Sequence, residues 1–417
     1  MKLLLDSGSW TFRSPSGGGE VAVIDKDRVC LSGTPLSYGA YECKVPLTPG
    51  WVKLDVPCQT EGLAAPENFV TVILSLHQAD GSPLRRQYTD VKPGAAKGSL
   101  NFSRLFEVPE NVAYGVVSLA LRCPGRGNAV FTAPELSVAK PPAQRLARVV
   151  VTHFGWRIED VNSRVKSMFG EIGACSPDLV CFGEALFTRG LWNKDNCAGI
   201  RTVAEKIGGP VTSMMADLAA KNNTYVAVNF SEVDGGDIFN STALLDRSGS
   251  HVGTYRKVHL PLDEYECGGA PGSEYPVFET DFGKVGLTIC WDAAFPEPAR
   301  CLKLGGAELM VSASIGDFWE TDMARARDNG LWFAIAGGNR QWGGPYPPSR
   351  IYDPEGRILC SCGGYNDGIY DSYTFSDIDF NRRYYQVWLS VGPCEGEGPN
   401  LYPIERRPDT YGRMVSC

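Results

Sequence analysis

A chain of 417 residues, 43% hydrophobic and 21% charged, is too long for one ordinary core and too apolar for a disordered polymer, so two globular domains are expected. Its net charge of −8 comes without a dense Lys/Arg block, which argues against a nucleic-acid partner. No window approaches the ~18–20 consecutive apolar residues of a membrane span.

The chain starts Met1-Lys-Leu-Leu-Leu-Asp6, an apolar run far short of the ~7–15 residues of a secretory signal. A cytoplasmic protein is therefore expected, and its 14 scattered cysteines read as free thiols. From residue 1 to about 140 the pattern is strands punctuated by Gly, Pro, Asn and Asp. Tyr38–Val45, Trp51–Val56, Phe69–Leu76 and Val116–Arg122 alternate apolar with polar or small residues, which predicts an all-β sandwich over 1–140. Asn128–Val138 resembles the closing strands of galactose-binding-like jelly rolls, and that likeness makes carbohydrate a candidate ligand of this accessory domain. Its aromatic residues Trp10, Tyr38, Tyr41 and Trp51 are the candidates for a sugar-stacking face, and read first as hydrophobic core or an interdomain contact.

Lys140-Pro-Pro-Ala-Gln144 is a stiff linker, because consecutive prolines stop both helix and sheet. Strands and helices then alternate over 146–417, the pattern of an α/β domain. Leu146–Val151 reads as strand. Ile158 to Ala174 reads as an amphipathic helix with Val161, Val165, Met168, Phe169 and Ile172 inward. Pro177–Phe182 is a strand, Thr212–Lys221 a helix, and Tyr225–Phe230 and Ser241–Asp246 strands. Beyond residue 290 come helices at Pro298–Leu304 and Met323–Gly330 and strands at Leu309–Ser312 and Phe333–Ala336.

Three strand ends carry chemistry. Pro177-Asp-Leu-Val-Cys-Phe-Gly-Glu184 ends in a carboxylate, Gly253-Thr-Tyr-Arg-Lys257 in an ammonium, and Gly286-Leu-Thr-Ile-Cys290 in a thiol that runs into a turn. A thiol has a pKa near ~8.5, so as a nucleophile it needs a base; Glu184 can serve, and later return the proton to a leaving amine. Lys257 and the backbone N–H of Trp291 can hold a developing oxyanion. No histidine enters this set. The four histidines are dispersed and Cys360-Ser-Cys362 has none nearby, so no metal is expected. Trp291, Trp192, Phe318 and Trp319 are candidate pocket walls, and Arg300 and Arg189 read as structural ion pairs more than as carboxylate binders.

Together these blocks resemble the carbon–nitrogen hydrolase (nitrilase) superfamily from about Leu146 to Tyr411. The match rests on the order Glu184, Lys257, Cys290, on Tyr255-Arg-Lys-Val-His-Leu-Pro261, and on Cys290-Trp-Asp292 with Phe295-Pro-Glu297. Ala270-Pro-Gly272, Arg325–Gly330, Asp377-Ile-Asp379 and Arg407-Pro-Asp-Thr-Tyr411 support it. The resemblance implies an αββα sandwich, assembly into a homo-oligomer, a small-molecule substrate and no cofactor. It also implies a second glutamate between Lys257 and Cys290, with Glu264 favoured over Glu266. Gly183 stands where the family often has Pro, which gives that turn more freedom. Asp292, where nitrile hydrolases tend to carry Glu, leans towards amides. The implied activity is hydrolysis of a small amide or N-carbamoyl compound through a thioester. Nitrile hydrolysis through a thioimidate and a non-catalytic binding scaffold are the alternatives.

Overall fold

The computed structural model describes residues 1–155, 160–188, 191–192, 197–316, 318–338, 348–363, 371–387 and 389–415. Two compact units emerge, Met1–Ala143 with Arg383–Cys417, and Gln144–Arg382. Among the described residues no helix is long and apolar enough to cross a membrane.

The first unit is built from two seven-stranded sheets. Gly50–Glu61 shows the alternation behind the β prediction, with Val52, Leu54, Val56 and Cys58 buried and every second side chain turned away. These residues share one core with Val72, Leu74 and Leu76 and with Val117, Leu119 and Leu121 of the other sheet. The stretch Asn128–Val138 forms two strands, Asn128–Thr132 and Glu135–Ala139, both paired to Gly50–Glu61.

One boundary departs from expectation. Residues 383–417, expected with the second domain, pack with the first. Glu395–Gly396 adds a parallel strand beside Pro83–Tyr88, and Asn68 Nδ2 donates to the carbonyls of Pro403 (2.8 Å) and Ile404 (3.0 Å). Arg104, 7% exposed on strand Ser99–Val108, pairs with buried Glu397. An arginine buried in a sandwich requires a carboxylate, and the tail supplies it. No local pattern in the tail announces that partner.

Among the described residues the second unit has twelve strands: β1 Leu146–Phe154, β2 Leu179–Cys181, β3 Tyr225–Asp234, β4 Asp237–Leu245, β5 His251–Arg256, β6 Val277–Glu279, β7 Lys284–Ile289, β8 Leu309–Ala313, β9 Trp332–Gly338, β10 Ser349–Tyr352, β11 Ile358–Cys362 and β12 Ser372–Asp379. Its helices are α1 Val161–Gly173, α2 Cys197–Val203, α3 Pro210–Asn222, α4 Leu262–Glu266, α5 Pro296–Leu304 and α6 Trp319–Asn329. One half-sheet runs β12-β1-β2-β3-β4-β5 and the other β6-β7-β8-β9-β10-β11. Among the described residues their strands pair where His153 and Phe154 of β1 meet Gly337 and Gly338 of β9. The halves lie face to face, β4 against β7, β3 against β8 and β2 against β9.

Helices close both outer faces. On the first half, Val165, Met168, Phe169 and Ile172 of α1 and Met215 and Ala219 of α3 pack on Val180, Val226 and Val228. On the other, Ala299 and Leu302 of α5 and Ala326 of α6 pack on Met310, Phe333 and Ile335. This is the αββα sandwich that the resemblance implied. Asp160 caps α1 by accepting from Ser163 N at 3.0 Å, and the predicted start at Ile158 lies outside the described residues. Pro210 opens α3, and the Glu205 carboxylate accepts from Val211 N (2.9 Å) and Thr212 N (2.8 Å), supplying negative charge where the helix exposes N–H groups.

Candidate active site

Each chemical residue follows the end of a strand. Glu184 comes three residues after β2, Lys257 directly after β5, and Cys290 directly after β7. Face-to-face packing of the half-sheets brings these ends together. Lys257 Nζ donates to Glu184 Oε1 at 2.8 Å and to Glu264 Oε1 at 2.6 Å. All three side chains are buried, Lys257 with 1% of its surface exposed. Cys290 is buried beside them, close enough for the charges of Glu184 and Lys257 both to act on its thiol. Glu266 sits on the exposed side of α4, so Glu264 is the glutamate brought to the cluster.

Charge follows from this burial. Desolvation pulls the Lys257 ammonium down, but the charges of Glu184 and Glu264 outweigh it and leave its pKa raised, so it stays protonated. Burial raises Glu264 to about 7, against the opposing pull of Lys257. Burial, with the Glu184 charge adding to it, pushes the Cys290 thiol up to about 12. Cys290 thus rests as a thiol, and a thiol in that state can act as a nucleophile only with a base beside it. Glu264 Oε2 is buried and, among the described residues, has no hydrogen-bond partner.

Backbone strain marks the cysteine. Cys290 has φ +44°, a left-handed conformation unusual for a residue with a Cβ, at the point where β7 turns into the short helix Cys290–Ala294. Asp292 anchors that turn. Fully buried, it accepts from Tyr255 OH (2.6 Å) and Ile289 N (3.0 Å) through Oδ2, and from His259 N (3.1 Å) and Nδ1 (2.9 Å) through Oδ1. Tyr255 and His259 flank Lys257, so one carboxylate ties the lysine segment to the cysteine turn. Sequence reading used Asp292 only as a hint to substrate class and missed this role.

Gly183 is explained differently from the expectation of a freer turn. Its φ is not left-handed, but a Cβ there would lie 2.5 Å from the Gly337 carbonyl oxygen. Close approach of β9, invisible in local sequence, is what requires glycine. Ala185, next to Glu184, has φ +54°, and its N–H is held by Asn229 Oδ1 at 2.8 Å. Asn229 and Asn240 were also missed. Their signal is an amide at an inward position of an apolar strand, as in Tyr225-Val-Ala-Val-Asn-Phe230.

The aromatic candidates divide. Phe318 lies against the cysteine: a Cβ on Gly316 would sit 2.4 Å from its ring and 3.1 Å from Cys290 Sγ. Trp291, 40% exposed, packs edge-on against Phe295 and at 5.8 Å from Phe318. Trp192 donates to Ser231 Oγ at 3.1 Å and faces Gly269. Arg300 donates to the carbonyl of Asp328 at 2.7 Å, joining α5 to α6. Arg189 and the Trp319 side chain lie outside the described residues. Among those residues no three His, Cys, Asp or Glu gather as metal ligands.

Residues 145–383 match the family model for carbon-nitrogen hydrolases. The chain belongs to that family. It is an enzyme that hydrolyses C–N bonds. It is 33% identical over 258 residues to a probable nitrilase of Schizosaccharomyces pombe, covering 58% of this chain and 86% of the relative. It is 40% identical over 232 residues to a citrullinase of Francisella tularensis, covering 49% of this chain and 75% of the relative. A carbon-nitrogen hydrolase from Helicobacter pylori shares the fold, with TM-score 0.51 and 18% identity over 66% of this chain and 99% of that one.

Proposed function

We propose that this hydrolase cleaves a small amide or N-carbamoyl compound through a thioester on Cys290. Sγ attacks the carbonyl carbon while Glu184 takes the thiol proton. The oxygen that becomes negative is held by Lys257 and by Trp291 N–H, one of the N–H groups that a helix start leaves without an intrahelical partner. Lys257 spends two of its three donors on Glu184 and Glu264, which leaves one for the oxyanion. The intermediate collapses, the C–N bond breaks, and Glu184 returns its proton to the departing ammonia or amine. Water then attacks the thioester, giving one proton to Glu184. The C–S bond breaks, the thiol recovers that proton, and the acid leaves. Glu264 positions Lys257 and offers Oε2 to the substrate N–H or the water. Trp291, Phe318 and Trp192 wall the pocket.

The observation that carries this reading is Lys257 Nζ held between two buried carboxylates, with the buried Cys290 thiol within reach of their charge. Likeness to a citrullinase supports the amide and carbamoyl side. A nitrile at the same site would pass through a thioimidate, and the likeness to a probable nitrilase supports that second reading. The test is ammonia release from a panel of amides, carbamoyl compounds and nitriles, with intact-mass detection of an acyl adduct on Cys290. Turnover that survives Cys290→Ala refutes the proposal.

A further inference from the structure

We propose that Asn240 is a positioning residue that aims Glu184 and Glu264, and that Asn229 locks it in the working orientation. The inference rests on reading Glu184 as the base. Asn240 is 2% exposed on β4, and its Nδ2 donates to Glu184 Oε1 at 2.9 Å and to Glu264 Oε1 at 3.3 Å. Its own carbonyl accepts from Lys257 N at 2.9 Å. One residue therefore touches both carboxylates through its side chain and the ammonium's backbone through its main chain.

Two carboxylates facing one ammonium carry one negative charge too many, and like charges so close drive one of them to take up a proton. A neutral amide adds a second donor without adding charge. It also saturates Glu184 Oε1, which already holds Lys257, and so leaves Oε2, bonded to Ile315 N at 3.3 Å, as the oxygen with capacity to receive a proton. The amide works in one orientation only, because a flipped Asn240 would present Oδ1 to both carboxylates. Asn229 fixes that orientation. Asn229 Nδ2 donates to Asn240 Oδ1 at 2.8 Å and to the Ser241 carbonyl at 3.0 Å, while its Oδ1 holds Ala185 N. The pair are diagonal neighbours on β3 and β4, where Ser231 lies opposite Asn240.

The test is the pH profile of Cys290 alkylation by iodoacetamide, run beside amide turnover. It is read by mass spectrometry on the Cys290 peptide, since the chain holds 14 cysteines. The thiol loses its proton to the carboxylate cluster that Asn240 holds, so the alkylation rate falls where that cluster takes up a proton, as Glu264, raised to about 7, does. Asn240→Leu removes a donor to the charged form and should move the acid limb up by about one pH unit, a roughly tenfold slower reaction below the limb. Asn229→Asp accepts where Asn229 donates, turns the Asn240 amide round, and should move the limb the same way. A merely structural asparagine would lower the melting temperature and leave the limb in place, and that result overturns the proposal. Should Asn240→Leu fail to fold, Asn229→Ala reads the same limb with the same two outcomes. A wild type with no acid limb and no ammonia release overturns the base assignment and this inference together. Turnover with an unmoved limb in the variants overturns the inference alone.

Discussion

Replacing Lys257 with methionine tests the charge balance of the site most directly. The side chain keeps its length but loses the ammonium that lies 2.8 and 2.6 Å from two buried carboxylates. Removing one partner of a buried ion pair costs about 3–5 kcal/mol, because the remaining charge is left uncompensated. In a unit of this size, about 2–4 °C of melting temperature corresponds to each kcal/mol, so a fall of about 10 °C is expected near pH 8. The loss must depend on pH, with a definite sign. Burial already raises Glu264 to about 7, above its unfolded value. Without Lys257 the pull that opposes burial at Glu264 is gone, and its folded-state value must rise further. A group whose folded pKa exceeds its unfolded one contributes stability at low pH and loses it as pH rises through the folded value. The gap between wild type and variant should therefore be small near pH 4 and widen towards pH 8. Differential scanning calorimetry at both pH values, following the transition of the 144–382 unit, measures it. Equal destabilisation at the two pH values, or less than about 1 kcal/mol at pH 8, refutes the argument that the ammonium holds two charged carboxylates together.

Gly183→Ala drives a Cβ to 2.5 Å from the Gly337 carbonyl and must shift Glu184. A displacement near 1 Å should lower kcat/KM by about 10²-fold, and unchanged kinetics would remove the close-approach explanation. Asp292→Ala leaves Tyr255 OH and Ile289 N buried without their acceptor and should cost about 2–5 kcal/mol, with kcat falling more than KM rises. Melting temperature and steady-state kinetics check both parts. Glu397→Ala leaves Arg104 buried and unpaired, so the first unit should lose about 3–5 kcal/mol, and limited proteolysis should cut within 383–415 well before the wild type is cut. A tail equally resistant in both proteins would show that this ion pair does not hold it.

Periodicity alone placed most of the elements, because burial of one face imposes a period that local sequence must carry. The inward set of α1 at Val165, Met168, Phe169 and Ile172 is such a case. Element ends moved where a cap or a first-turn proline overrode the apolar pattern, as at Asp160 and Pro210. The three strand-end residues were legible because a thiol, a carboxylate and an ammonium differ in kind from the apolar runs before them.

What stayed hidden was whatever one segment requires of another. Glycine at 183 answers to a carbonyl 154 positions later, Asp292 to a tyrosine and a histidine beside the lysine, and Asn240 to two glutamates on separate elements. The C-terminal tail joins the β-sandwich for the sake of an arginine almost three hundred residues away. By itself the chain order determined which groups could do chemistry and on which strands they sit. Only the folding of two half-sheets face to face decided which of them touch. Hydrogen bonds and ion pairs act over about 3 Å of space and are indifferent to separation along the polymer.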